Sequence, residues 1–222
     1  MQVLAIVGSY RKGGNTDIII EKALEGARAK GAQTEKLFVD DLNISSCRGC
    51  MEECRPEGIC NIEDGLNALV AKIAAADGLI IGTPIYGNYM TGQLKIIFDR
   101  LMYVLNKTEY IKDKRNTISR LTNKKRNLLT VITAGAPNKD CADDVLKLSR
   151  RMLSTLPNAG FMKEIIATNI NDKGQVAWDE ERLVTAARRL GKPDAEGVAK
   201  ELKAANDSVL QEAYEIGSEL ID

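Results

Sequence analysis

Four of the chain's five cysteines crowd into one short segment, Cys47-x2-Cys50-x3-Cys54-x5-Cys60. Closely spaced thiolates are how iron–sulfur sites are built, and four of them also suit a tetrahedral zinc ion. Cysteines without metal are the third reading. In a reducing compartment such a cluster is more often a metal or redox site than a disulfide framework. Cys141 stands apart at a helix start and reads as an ordinary buried thiol. The chain has no histidine, which removes the commonest acid–base group and a common zinc ligand. No residue is therefore assigned as an acid–base catalyst, and Cys47, Cys50, Cys54 and Cys60 read as redox ligands rather than nucleophiles.

A second constellation, Gly8-Ser9-Tyr10-Arg11-Lys12-Gly13-Gly14-Asn15-Thr16, lies between a short apolar run and a helical pattern. That place presents backbone N–H groups and the positive end of a helix dipole to an anion. Glycines such as Gly14 let the backbone turn tightly and approach a ligand. Ser9, Asn15 and Thr16 can add side-chain donors, and Arg11 or Lys12 positive charge. The stretch is neither a Walker sequence nor the dinucleotide G-x-G-x-x-G. A phosphate site is favoured over a plain turn rich in small residues.

The elements that must position these groups follow from periodicity. Apolar runs at residues 3–7, 78–82 and 128–133, a weak alternation over 33–39 and the segment 161–168 read as strands, the first of them buried on both faces. Helical spacing marks 16–30, 65–76, 93–105, 142–156 and 180–190, and the cysteine segment reads as a loop. Strands alternating with helices imply an α/β fold, a doubly wound five-stranded parallel sheet with helices on both faces. In such sheets ligands sit outside the carboxyl ends of the strands, at the switch point. Two segments exceed this plan. Residues 106–126 form a basic insertion, eight Lys/Arg against Glu109 and Asp113, read as a solvated excursion with oligomer contact or flavin cover as the sharper alternative. Residues 193–222 read as a C-terminal helical extension to a domain over 1–192, with the cysteine loop at 45–62.

The loop GSYRKGGNT resembles the G-S-x-R-x-x-G-N-T loop of the NADPH-dependent FMN reductase family, a branch of the flavodoxin-like fold. A second stretch, ADGLIIGTPIYGNYMTGQLKIIFDR, resembles that family's strand, Pro-x-Tyr loop and Gly-Gln-Leu-Lys helix. The resemblance implies FMN, with its phosphate in the first loop and its ring lined by Pro84, Ile85, Tyr86, Gly87 and Asn88. By position, Ala134 and Gly135 form the other wall, and Tyr86 or Tyr89 could stack on the ring. The cysteine segment looks like that of the iron–sulfur flavoproteins, relatives that bind a [4Fe-4S] cluster. It departs from their spacing between the second and third cysteines, where three residues stand in place of two. On a helical turn i and i+4 share a face almost as well as i and i+3.

The function expected is a flavin-dependent oxidoreductase passing electrons between a [4Fe-4S] cluster and FMN, with NAD(P)H, ferredoxin or a quinone-like molecule as redox partner. A cluster-free NAD(P)H-dependent flavin or quinone reductase is the alternative, and a flavin-binding sensor docked through the basic insertion is the third. The resemblance also implies a homodimer or homotetramer. Lys plus Arg equals Asp plus Glu, 31 each, which gives no reason to expect nucleic acid or membrane as partner. No apolar run approaches the roughly 20 residues of a bilayer span, and the N-terminus reads as a first strand rather than a signal peptide. A cytoplasmic location is expected.

Overall fold

A computed structural model describes residues 1–222 apart from 112–113, 122–123, 155 and 157–158. Five strands form one parallel sheet: β1 (Gln2–Val7), β2 (Gln33–Phe38), β3 (Gly78–Pro84), β6 (Arg126–Thr133) and β7 (Ala159–Ala167). Their order is β2-β1-β3-β6-β7, every neighbouring pair parallel. This is the flavodoxin-like order, with its switch point between β1 and β3.

Alternation along the strands explains two cores. Leu4 and Ile6 of β1, Leu79 and Ile81 of β3, and Leu128 and Ile132 of β6 pack on one face. Val3, Ala5, Val7, Ile80, Leu129 and Val131 pack on the other. Successive residues point to opposite faces, so a strand covered on both sides is apolar throughout. Burying each large side chain contributes about 1.5–3 kcal/mol.

The first face is covered by α3 (Leu66–Ala75), α4 (Gly92–Val104) and α5 (Asp143–Leu153). The second is covered by α1 (Asn15–Ala29) and α7 (Ala195–Glu219), with α6 (Glu180–Arg189) against α7. The helices α1 and α7 approach so closely that a methyl on Gly26 would overlap the Tyr214 carbonyl, and one on Gly217 the Ala23 carbonyl.

Two segments differ from expectation. The cysteine segment contains a helix, α2 (Met51–Glu57), whose C-cap Gly58 is left-handed at φ +69°. The basic insertion contains an antiparallel hairpin, β4 (Asn106–Ile111) and β5 (Lys114–Ser119), where the sequence pattern assigns no elements. Arg120, following β5, donates from its backbone N–H to the Leu105 carbonyl (2.8 Å) and from its guanidinium to the Pro56 carbonyl of α2 (3.2 Å). Residues 112–113 and 122–123 of the insertion and 155 of the expected helix over 142–156 lie outside the described residues.

Candidate functional site

Three loops leave the carboxyl ends of β1, β3 and β6, adjacent strands across the switch point. They carry residues 8–16, 84–88 and 134–135, so the sheet brings together the three segments picked out in the sequence.

Most amides of the first loop already have partners. Gly8 N–H donates to the Gly82 carbonyl (2.7 Å), Lys12 N–H to Tyr10 O (3.2 Å) and Gly14 N–H to Arg11 O (2.8 Å). Arg11 N–H donates to Ser9 Oγ (3.1 Å), and Gly13 N–H to Asp17 Oδ2 (2.7 Å). The first helical hydrogen bond of α1 is Ile18 N–H to Gly14 O (3.0 Å), and among the described residues no side chain caps the helix. The N–H groups of Asn15, Thr16 and Asp17 thus stand at the positive end of α1, where an anion is stabilised.

The side chains of this loop mostly hold it in place. Asn15 donates from Nδ2 to the Ile170 and Asp172 carbonyls (3.3 and 2.9 Å) and accepts from Val176 N–H (3.0 Å). It is a clamp on residues 170–176. Thr16 shares a buried 2.7 Å hydrogen bond with Thr133, tying the first loop to β6. Lys12 is exposed, paired with Asp41 and lying 5.2 Å from the Phe38 ring centre. Ser9 is buried, while Tyr10 and Arg11 are exposed.

The second loop is pinned to the first. Buried Thr91 donates to the Gly8 carbonyl (2.7 Å), caps α4 by accepting from Leu94 N–H, and donates from its own N–H to Thr83 Oγ1 (3.2 Å). Residues 86–89 close a tight hairpin: Tyr86 N–H donates to Tyr89 O (2.9 Å), and Tyr89 N–H to Tyr86 O (3.2 Å). Gly87 (φ +56°) and Asn88 (φ +62°) are both left-handed, as a two-residue turn joining right-twisted strands requires. The turn holds Tyr86 out at 43% exposure, and Tyr10 of the first loop is exposed at 48%. Pro84 and Ile85 are half-buried.

The third loop is backed by residues 169–176. Ala134 is buried, and Ala134 O accepts from Ile170 N–H (3.2 Å). Any side chain on Gly135 would meet Asn171. Gln175 accepts from the N–H groups of Asn171 and Asp172 (2.8 and 3.0 Å) and donates to Asn169 O (3.0 Å).

The second constellation also assembles. Cys47, Cys50, Cys54 and Cys60 line one narrow cleft together with Arg48, Ile62, Arg100, Tyr103 and Val104. Cys54 N–H donates to the Cys50 carbonyl (3.3 Å), so these two cysteines share one helical turn. Cys54 and Cys60 are buried. Burial, then the neighbouring Cys50 and Cys60, push the Cys54 thiol above its ordinary value. Among the described residues, no three His, Cys, Asp or Glu side chains stand close enough to grip a metal ion as they lie. Cys141 is half-buried in a short turn before α5, where burial and then Asp140 raise its thiol, which disfavours a nucleophilic thiolate.

Sequence reasoning passed over Asp17, Thr91, Gln175, Asp64 and Arg100. Buried Arg100 donates from Nη2 to Cys60 Sγ (3.0 Å) and Asp64 Oδ1 (3.0 Å), and from Nη1 to Ser45 O (2.9 Å) and Asp64 Oδ2. Asp64 also accepts from Ser45 N–H (2.9 Å) and Leu66 N–H (3.1 Å). Burial alone would raise the Asp64 carboxyl, but the Arg100 guanidinium and these amides hold it below its ordinary value. The signal was a charge on an apolar stripe: Leu94, Ile97, Arg100, Leu101 and Val104 share the buried side of α4.

Comparison with known proteins agrees with this architecture. The family model for NADPH-dependent FMN reductase matches residues 1–118. An iron-sulfur flavoprotein of Methanosarcina thermophila is 38% identical over 115 residues, 51% of this chain and 59% of that protein. The chain spans about half the length of the curated relatives it matches first. An FMN-dependent NADH-azoreductase from Bacillus anthracis, solved with FMN, has a TM-score of 0.65 at 15% identity, covering 100% of both chains. An NAD(P)H:quinone oxidoreductase from Methanothermobacter marburgensis also has a TM-score of 0.65, at 14% identity over 99% of this chain and 98% of that one. At such identities these two structures establish the shared fold. No described helix is long and apolar enough to cross a membrane.

Proposed function

Because this chain belongs to the NADPH-dependent FMN reductase family, we propose that it is an FMN-dependent electron-transfer oxidoreductase in which Cys47, Cys50, Cys54 and Cys60 hold a [4Fe-4S] cluster. The observation that carries the flavin half is the uncapped start of α1, set among three loops at the switch point. Asn15 and Thr16 offer backbone N–H groups to the phosphate, with Ser9 and Gly14 shaping the turn and Arg11 and Lys12 supplying charge. Pro84, Ile85, Tyr86, Gly87 and Asn88 form one wall of the ring site, and Ala134 and Gly135 the other. Flavin bound there would accept a hydride or single electrons, and a cluster would pass electrons singly. Gly82 lets the start of α1 sit tightly on β3, since a methyl there would come within 2.5 Å of Ile20 and 2.8 Å of Thr16.

The donor set supports the cluster half: four cysteines on one cleft, beside a buried cation. Left-handed Gly49 and Gly58 flank the helix that bears Cys54, letting the backbone turn sharply on either side of it. The narrow cleft favours a second reading, a cluster-free NAD(P)H-dependent flavin or quinone reductase. NAD(P)H, ferredoxin and quinones are the candidate redox partners, and a homo-oligomer is the proposed assembly.

Anaerobic purification separates the two. Iron and sulfide with a broad visible shoulder beside the flavin bands support the cluster; FMN alone, bleached rapidly by NADPH or NADH, supports the second reading. Colourless protein that FMN cannot reconstitute would remove both.

A further inference from the structure

Arg100 carries more than a structural ion pair requires. Its guanidinium has five N–H donors. Four are spent, on Asp64 twice, the Ser45 carbonyl and Cys60 Sγ. The fifth, Nε–H, is buried and meets no acceptor among the described residues, and the Arg100 side chain lines the cleft of the four cysteines. A buried donor left unmade costs free energy, which marks the place where a strong acceptor is missing.

We propose that Arg100 is a positioning residue for the cysteine-held cluster, fixing Cys60 Sγ by hydrogen bond and setting the cluster's reduction potential, with Asp64 tempering its charge. The inference rests on the cluster reading given under Proposed function. A set of thiolates around an iron–sulfur core is anionic, and reduction makes it more so. Hydrogen bonds and positive charge at the sulfurs stabilise the reduced form and raise the potential. The bidentate Asp64 partner both aims the fork at Cys60 and offsets its charge. Lysine, a point charge with three donors, cannot serve Asp64, Ser45 and Cys60 in one plane. Asn67 holds the backbone of the same ligand, accepting from Cys60 N–H (3.0 Å) and donating to Cys60 O (2.8 Å), so the thiol is fixed from both ends.

The test uses full-length protein reconstituted anaerobically with ferrous iron and sulfide, and follows the visible and paramagnetic signals during a redox titration. Arg100→Lys should move the cluster potential negative, and Asp64→Asn should move it positive, while the FMN bands and circular dichroism stay intact. Opposite shifts are a readout that a merely structural pair would not give. Iron-loaded variants whose potentials stay at the parent value, or move in the same direction, overturn the assignment. So does loss of FMN and of circular dichroism in both, which would make the pair a fold staple. Failure of the unsubstituted protein to take up iron sinks the cluster reading itself, a result distinct from these.

Discussion

Single hydroxyls and single hydrogens decide much at the loops. Thr91 uses one hydroxyl both to cap α4 and to reach the Gly8 carbonyl, so Thr91→Val should cost about 1–3 kcal/mol in urea unfolding and weaken FMN binding in fluorescence titration. Gly82 lies under the first loop, against Ile20 and Thr16. Gly82→Ala should therefore destabilise by about 1–3 kcal/mol and release FMN more readily than the parent. Asp64 sets a pH dependence. Its folded carboxyl lies below the ordinary value because of Arg100 and two amides, despite burial. Its stabilisation is thus complete above about pH 3.9, the unfolded value, and is lost as pH falls through the folded one. Acid unfolding followed by circular dichroism should begin at higher pH for a protein lacking this carboxylate, Asp64→Asn, than for the parent.

Among elements, the pairing of α1 with α7 is the tightest. The two helices meet through Gly26 and Gly217, each against a carbonyl of the other helix. Gly217→Leu should force them apart and cost more than a typical surface change, upward of about 2 kcal/mol, read as a lowered urea midpoint with unchanged slope. The start of α1 carries the amides proposed to hold the phosphate, so the same substitution should also loosen FMN. The hairpin of β4 and β5 sits differently, with Arg120 reaching the end of the cysteine-bearing α2. Hairpins form from pairing between strands, and the basic run carried no alternation by which to foresee one. The α2 helix was obscured for a related reason, since Pro56 and clustered cysteines mask its period.

For the molecule as a whole, the sheet order turns three distant segments into one surface. Residues 8, 82 and 133 are far apart in sequence, yet Gly8 bonds Gly82 and Thr133 bonds Thr16. Truncation before α7 should remove Ala213, Ile216 and Leu220 from the second core and abolish cooperative unfolding, checked by calorimetry. Local patterns by themselves determined the strand–helix alternation, the positions of the three loops and the crowding of the cysteines, because burial on two faces and helix capping write themselves into neighbouring residues. Tertiary structure alone decided which side chains serve as fasteners. The loop's sequence offers Asn15 and Thr16 as side-chain donors to a ligand, yet in the fold those side chains hold residues 170–176 and Thr133. Arg100 lies on α4, as the helical spacing over 93–105 predicts, but only packing brings it to Cys60 on a separate segment. Hydrogen bonds between residues distant in sequence depend on how the layers pack, and no spacing along the chain encodes them.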